Sequence, residues 1–371
     1  MSNPLHELPE ILLMGPGPSV VFPEVYDALA RPCIGHLDPL FISLMDETKG
    51  LLRQAIGTRN ELTIPISGTG SAGMEACFVN LVEPGDDVLV LINGVFGVRM
   101  ADVADRLRGN VDTLEFEWGT PVDLDQVREQ LGRKPYKLVA VVHAETSTGV
   151  ANPVAEVGQA VRELNPDALF LVDTVTSLGG MPVTMDDWSA DALYSGTQKC
   201  LSCPPGLAPI SFSQRAHDKL KNRETKVPNW YLDLSLITGY WEGSKRSYHH
   251  TAPINMIYGL YQALRCVLDE GLEAVHQRHQ QQHEKLAAGL AALGLEMYVE
   301  EGYRLPMLNA VKVPEGVDEA AVRSGLRQKH LIEIGAGLGP LAGKIWRIGL
   351  MGHTARPENV DRLLEAMKDV L

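Results

Sequence analysis

Between Leu62 and Ser213 the chain alternates short apolar runs with longer stretches in which apolar residues recur at helical spacing. The runs are Leu62–Ile66, Val88–Ile92, Leu138–His143, Ala168–Asp173, Ala192–Ser195 and Ala208–Phe212. Helical spacing marks Ser71–Leu81, Gly97–Leu107, Leu124–Leu131 and Val154–Glu163. Strands apolar along their whole length are buried on both faces, and intervening helices supply the cover. This region therefore predicts a mostly parallel sheet of the α/β kind. Leu220–Ser247, with its Pro, Gly, Trp and Tyr, reads as irregular. A long helical region, Ile254–Leu293, follows and is interrupted near Glu270-Gly271. Alternation then resumes over Leu308–Val313, Ala320–Lys329, Leu331–Ile334, Ile345–Leu350 and Glu358–Lys368. The expected division is an N-terminal arm (1–18), a large domain (19–270) and a small C-terminal α/β domain (271–371). No repeat at solenoid period and no low-complexity stretch interrupts this order.

In an open α/β sheet, ligands bind beyond the carboxyl ends of the parallel strands. Five predicted strands end in small, polar or ionisable residues: Ser67-Gly68-Thr69-Gly70-Ser71, Asn93-Gly94 with Phe96, His143 with Glu145-Thr146-Ser147, Asp173, and Ser195-Gly196-Thr197-Gln198-Lys199. In a parallel sheet these meet at one edge. The Ser67–Ser71 turn leads into a helix, whose free N–H groups and positive dipole end favour an anion such as phosphate. The same turn also suits a plain helix cap.

Composition narrows the partners. The 371 residues carry 33 Lys and Arg against 47 Asp and Glu, so the formal charge is 33 − 47 = −14. That balance opposes nucleic acid and anionic membrane surfaces. The five cysteines are odd in number and irregularly spaced, which points to reduced thiols. No stretch approaches a membrane span, and acidic Glu7 and Glu10 precede the short run Ile11–Met14, so a cytoplasmic protein is expected.

Taken singly, Asp173 could cap a turn and Lys199 could be a solvated surface lysine. Together, a strand-end Asp and a Lys 26 residues later in Ser-Gly-Thr-Gln-Lys are what pyridoxal-phosphate chemistry requires. A lysine forms the Schiff base, and a carboxylate keeps the pyridine nitrogen protonated so that the ring acts as an electron sink.

These segments resemble the class V aminotransferases, fold type I pyridoxal-phosphate enzymes, in the branch of alanine–glyoxylate and serine–pyruvate aminotransferases. The resemblance includes Gly15–Ser19, Leu81–Asp86, Glu145–Gly149, Val172–Gly180, Tyr194–Lys199, Tyr248-His249-His250-Thr251 and Trp346–Gly349. It implies a large domain with a mostly parallel central sheet, a smaller C-terminal domain and pyridoxal 5'-phosphate as cofactor. Lys199 is then the attachment point and proton shuttle, and Asp173 the partner of the ring nitrogen. Phe96, at a place often held by Trp, stacks on the ring, and Thr146 reaches its hydroxyl. Thr69, Gly70, Ser71 and Gln198 hold the phosphate, with Ser71 standing where many relatives have His. Tyr248 and Thr251 complete the phosphate site from a second subunit, which implies a homodimer with shared active sites. Arg347 grips the substrate α-carboxylate, and Gly17 lies against the substrate.

The expected reaction moves an amino group from a small amino acid, alanine or serine, to glyoxylate or pyruvate. Ureidoglycine– or aspartate–glyoxylate transfer, a lyase of the cysteine desulfurase type, and a non-enzymatic ligand-binding protein are the alternatives. Phe96 disfavours the desulfurase, which stacks a His on the ring.

Other motifs do not add a site. Cys200-Leu201-Ser202-Cys203 lacks the second pair of a zinc site and a thioredoxin-like setting. His276, His279 and His283 share a helix face but lack the zincin Glu, and read as a solvated face. Gly335–Pro340 fails the dinucleotide fingerprint and reads as a turn before the Arg347 strand, and Gly343-Lys344 is no P-loop. His249-His250 is expected to form structural hydrogen bonds, and no metal site is expected.

Overall fold

The computed structural model describes residues 3–243 and 245–371, so residues 1 and 2 of the expected arm lie outside the described residues. Its main sheet has seven strands: β1 (Leu62–Ser67), β2 (Asp87–Ile92), β3 (Asn110–Glu115), β4 (Leu138–Val142), β5 (Leu169–Asp173), β6 (Ala192–Tyr194) and β7 (Leu207–Phe212). They lie in the order β1-β7-β6-β5-β4-β2-β3. All neighbouring pairs are parallel except those made by β7, which runs antiparallel to both β1 and β6. The carboxyl ends of the other strands therefore share one edge.

β1, β4, β5 and β7 are buried almost throughout; β4 and β5 are mostly Val, Leu and Phe, while β1 and β7 bury Thr63, Pro65, Pro209 and Ser211 as well. β3 was not expected. It is an edge strand in which Asn110, Asp112, Thr113 and Glu115 interleave with apolar residues, so no apolar run announces it. Two N-terminal helices, Pro23–Leu29 and Pro39–Ile56, also lie outside the sequence reading. The second is well signalled: Asp38 caps it by accepting from the Leu40 N–H at 2.8 Å, and Gly57 ends it at φ +65°.

Leu220–Ser247 is not wholly irregular, since a helix spans Leu234–Trp241. Asp233 caps it, and Leu234, Ile237, Tyr240 and Trp241 bury its inner face. The long helical region divides at Gly271 into Ile254–Glu270 and Leu272–Ala292.

The C-terminal part has its own antiparallel sheet of β8 (Leu308–Lys312), β9 (Gly335–Ala336) and β10 (Ile345–Gly349), with β10 in the middle. Helices Leu272–Ala292, Glu319–His330 and Pro357–Val370 surround a separate core that includes Trp346, Leu326 and Leu363. Leu12–Leu13 of the arm pairs in parallel with Ile332–Glu333, and Met14 enters this second core. The expected glycine turn at Gly335–Pro340 opens as strand β9, with Gly335 opposite Arg347.

The histidine face on Leu272–Ala292 is corrected. His279 and His283 are buried, because that face packs inward. His279 Nδ1 faces the Val275 carbonyl at 2.7 Å, and its Nε2 accepts from the Gly352 N–H at 2.9 Å. His283 pairs with Asn309 at 2.6 Å. No helix among the described residues is long and apolar enough to cross a membrane.

Candidate active site

A cavity opens at the shared carboxyl edge, and all five strand ends singled out above reach it. From beyond β1 come Thr69, Gly70 and Ser71; from beyond β2, Phe96; from beyond β4, Thr146. β5 contributes Asp173, and the segment after β6 contributes Gln198 and Lys199.

Asp173 is buried at the last residue of β5, paired in register with Tyr194 of β6. Its Oδ1 accepts from the Val175 N–H at 2.7 Å and its Oδ2 from the Tyr194 hydroxyl at 2.7 Å. Burial pushes the carboxyl up to about 6, against the pull of both hydrogen bonds and the charges of Lys199 and Arg99. Lys199 is also buried, and its ammonium donates to the Pro16 carbonyl. Burial brings its pKa down to about 8, and nearby Arg347 adds to the lowering. A buried lysine that sheds its proton readily is poised as nucleophile and base.

Gly17 takes φ +107°, and a Cβ there would lie 2.5 Å from Lys199 Nζ. The N-terminal loop thus presses its backbone against the lysine, which only glycine permits. Arg347 comes from β10 of the second sheet. Its Nε donates to the Ala336 carbonyl at 2.6 Å and its Nη1 to the Thr146 carbonyl at 3.2 Å. Among the described residues no carboxylate lies within 4.0 Å of this buried guanidinium, a cation ready for an external anion. Burial brings it down to about 10, while Glu145 opposes that shift.

Ser71 lies in the first turn of the helix Gly70–Leu81, which Thr69 precedes without a side-chain capping bond. The first N–H groups of a helix have no partner within it, so they remain for a ligand. Among the described residues the buried Gln198 Oε1 has no hydrogen-bond partner, and the amide turned over would present its NH2 as a donor to a phosphate. An uncapped helix start, an unpartnered amide, an aromatic face and a buried Lys–Asp pair in one cavity fit pyridoxal 5'-phosphate. Tyr248 and Thr251 do not line this cavity. They lie on an exposed surface, their hydroxyls 3.4 Å apart. His249 and His250 between them hydrogen-bond to each other at 2.8 Å, and His250 to Ser67 at 2.8 Å.

Three polar residues in or beside the cavity receive no role from the resemblance. Tyr194 was visible in principle, since parallel register places it beside Asp173. Arg99 follows Phe96 by three positions on a helix, and its guanidinium carbon sits 5.0 Å from the Phe96 ring centre. Glu145 is buried beneath the site, where burial pushes its carboxyl up to about 7.

The family described as Aminotransferase class-V matches residues 22–363. The chain is 40% identical to an alanine–glyoxylate aminotransferase of Drosophila melanogaster, covering 100% of this chain and 94% of that protein. It is also 40% identical to an (S)-ureidoglycine–glyoxylate transaminase of Bacillus subtilis, covering 97% and 90%. Among solved structures, an alanine–glyoxylate aminotransferase from Nostoc sp. superposes with a TM-score of 0.97 at 50% identity, covering 100% of this chain and 97% of that one.

Proposed function

The chain belongs to the class-V aminotransferase family, and on that premise we propose that it transfers the amino group of alanine or serine to glyoxylate or pyruvate. The observation that carries this reading is that Lys199 and Asp173 line one cavity, beside which the buried Arg347 guanidinium bonds the carbonyl of the lining residue Thr146. Relatives similar over the whole chain share glyoxylate in their names, which supports that acceptor.

Pyridoxal phosphate, when bound, supplies a protonated ring that takes up the electron pair released as the substrate Cα–H bond breaks. Asp173 is held by Val175 and Tyr194, and it would pair with the ring nitrogen and keep its proton in place. Phe96, Thr146, Thr69, Gly70, Ser71 and Gln198 all line the cavity; Phe96 would stack on the ring, Thr146 would bond its hydroxyl, and the other four would hold the phosphate. Arg347 would grip the α-carboxylate as a fork and so fix the orientation of the substrate Cα. Lys199 Nζ would take the substrate Cα proton and hold it for return. Gly17 leaves room for the substrate beside Lys199. Cys200 suits no desulfurase role, because burial pushes its thiol up to about 12.

The assembly in this reading is a homodimer in which Tyr248 and Thr251 reach the phosphate held by a second copy. The protein acts in the cytoplasm, and the arm, large domain and small domain divide at residues 18 and 270. A panel of amino donors, ureidoglycine and aspartate included, against glyoxylate and pyruvate tests the reaction. Highest kcat/KM for alanine or serine with glyoxylate or pyruvate supports the assignment, and preference for ureidoglycine or aspartate overturns it.

A further inference from the structure

Glu145 has both carboxylate oxygens engaged in a fully buried setting. Oε1 accepts from the Ser147 hydroxyl at 2.6 Å and the Ser147 N–H at 3.1 Å. Oε2 accepts from the Phe96 N–H at 3.2 Å. Ser147 Oγ in turn accepts from the Val95 N–H at 3.0 Å. Val95 and Phe96 open the helix Val95–Arg106, whose preceding residue, Gly94, offers no capping side chain. The cap comes instead from a loop 50 residues away, and a Cβ at Gly94 would overlap the Glu145 carboxylate. An anion at a helix N-terminus is favoured by the dipole and by the unpartnered N–H groups there.

Thr146, between the two capping residues, contributes its carbonyl to Arg347 at 3.2 Å and lines the cavity. Hence one three-residue loop fixes the backbone of Phe96 on one side and the guanidinium of Arg347 on the other. A buried carboxylate with its full set of donors is a rigid anchor, and removing one acceptor leaves a buried N–H without a partner.

We propose that Glu145 is a positioning residue that, with Ser147, locks the Phe96 ring face and the Arg347 fork into one fixed relation across the cavity. The proposal rests on the roles of Phe96 and Arg347 given above. Glu145 itself touches neither cofactor nor substrate in this arrangement. It acts by setting where the stacking ring and the carboxylate clamp stand relative to each other.

The test uses the cofactor-loaded protein and its Glu145→Gln, Ser147→Ala and Phe96→Ala variants. The readouts are the visible circular dichroism of the bound cofactor, its dissociation constant, and KM and kcat for the amino donor. Glutamine keeps the shape but sets an NH2 group against one of the donors. Glu145→Gln is expected to change the dichroic signal in the same direction as Phe96→Ala and to weaken cofactor binding about tenfold. It is also expected to raise KM for the donor, through Arg347, with kcat lowered further. Ser147→Ala is expected to give the same pattern at smaller size, and it decides the matter if Glu145→Gln does not fold. A cap of purely structural importance would lower Tm and leave dichroism, cofactor affinity and KM as in the wild type, and that result overturns the proposal. If Phe96→Ala itself leaves the dichroism unchanged, the stacking role of Phe96 fails and the proposal with it. A changed Phe96→Ala signal beside unchanged Glu145→Gln and Ser147→Ala signals overturns the proposal alone.

Discussion

Lys199 and Arg347 are cations that the fold places in low-dielectric surroundings, and each is altered by that placement. Lys199 falls from an ordinary 10.5 to about 8. At pH 7 the neutral amine fraction is then roughly 300 times that of an exposed lysine. The rate of pyridoxal-phosphate attachment to the cofactor-free protein should therefore rise with pH and level off above about 8, measured by stopped-flow absorbance. A rise continuing toward 10.5 would show an unperturbed lysine. Arg347 meets two backbone carbonyls and, among the described residues, no carboxylate within salt-bridge distance. Arg347→Lys cannot reproduce a planar fork and should raise the donor KM by tenfold or more, on the order expected for a lost charged hydrogen bond. An unchanged KM removes Arg347 from the substrate site. Most of these residues could be read from the sequence because Lys, Asp and Arg stand in specific local strings. Arg99 could not, since its place depends on a helix register that no string displays, and Glu145, visible at a strand end, gives no sign of its bond to Phe96 about 50 residues away.

At the scale of elements, apolar runs located six of the seven strands of the main sheet, because strands buried on both faces need no alternation to be seen. The edge strand Asn110–Glu115 has one polar side and no such run. Helix Leu234–Trp241 is short and sits among residues that suggest loops, so only its capping Asp233 marked it. Helix Leu272–Ala292 shows how polar composition misleads: His279 is polar in sequence yet buried, with both ring nitrogens bonded. Burial brings its pKa down to about 4, below the ordinary 6.5. The unfolded chain therefore takes up this proton as pH falls through 6.5, while the folded chain refuses it until about 4. Stability present above pH 6.5 is lost toward pH 4, and this one group withdraws about 2 kcal/mol between pH 7 and pH 5. His279→Gln should be less stable at pH 7 and should show a shallower loss between those pH values in urea titrations. An equally steep loss would assign the acid sensitivity to other groups.

The whole molecule carries a formal charge of −14, yet under the proposed function its cavity would receive two anions, a phosphate and a carboxylate. A helix start, Lys199 and Arg347 collect them locally against the overall field. The arrangement draws on distant parts of the chain: the N-terminal loop at Gly17, the edge of the main sheet and strand β10 of the second sheet. In the proposed homodimer, the exposed Tyr248 and Thr251 would extend this logic to a second copy. Mixing refolded Lys199→Ala and Thr251→Ala subunits should restore up to about a quarter of wild-type activity, because half of randomly formed dimers carry one intact site of two. Activity no greater than that of the separate variants would mean that each site is complete within one chain. The central claim is that Lys199 is the residue to which the cofactor attaches. Borohydride reduction of the cofactor-loaded protein followed by peptide mass spectrometry tests it most directly. The account predicts a reduced pyridoxyl group on Lys199 alone, absent from Lys199→Ala; labelling of another lysine, or none, would contradict it.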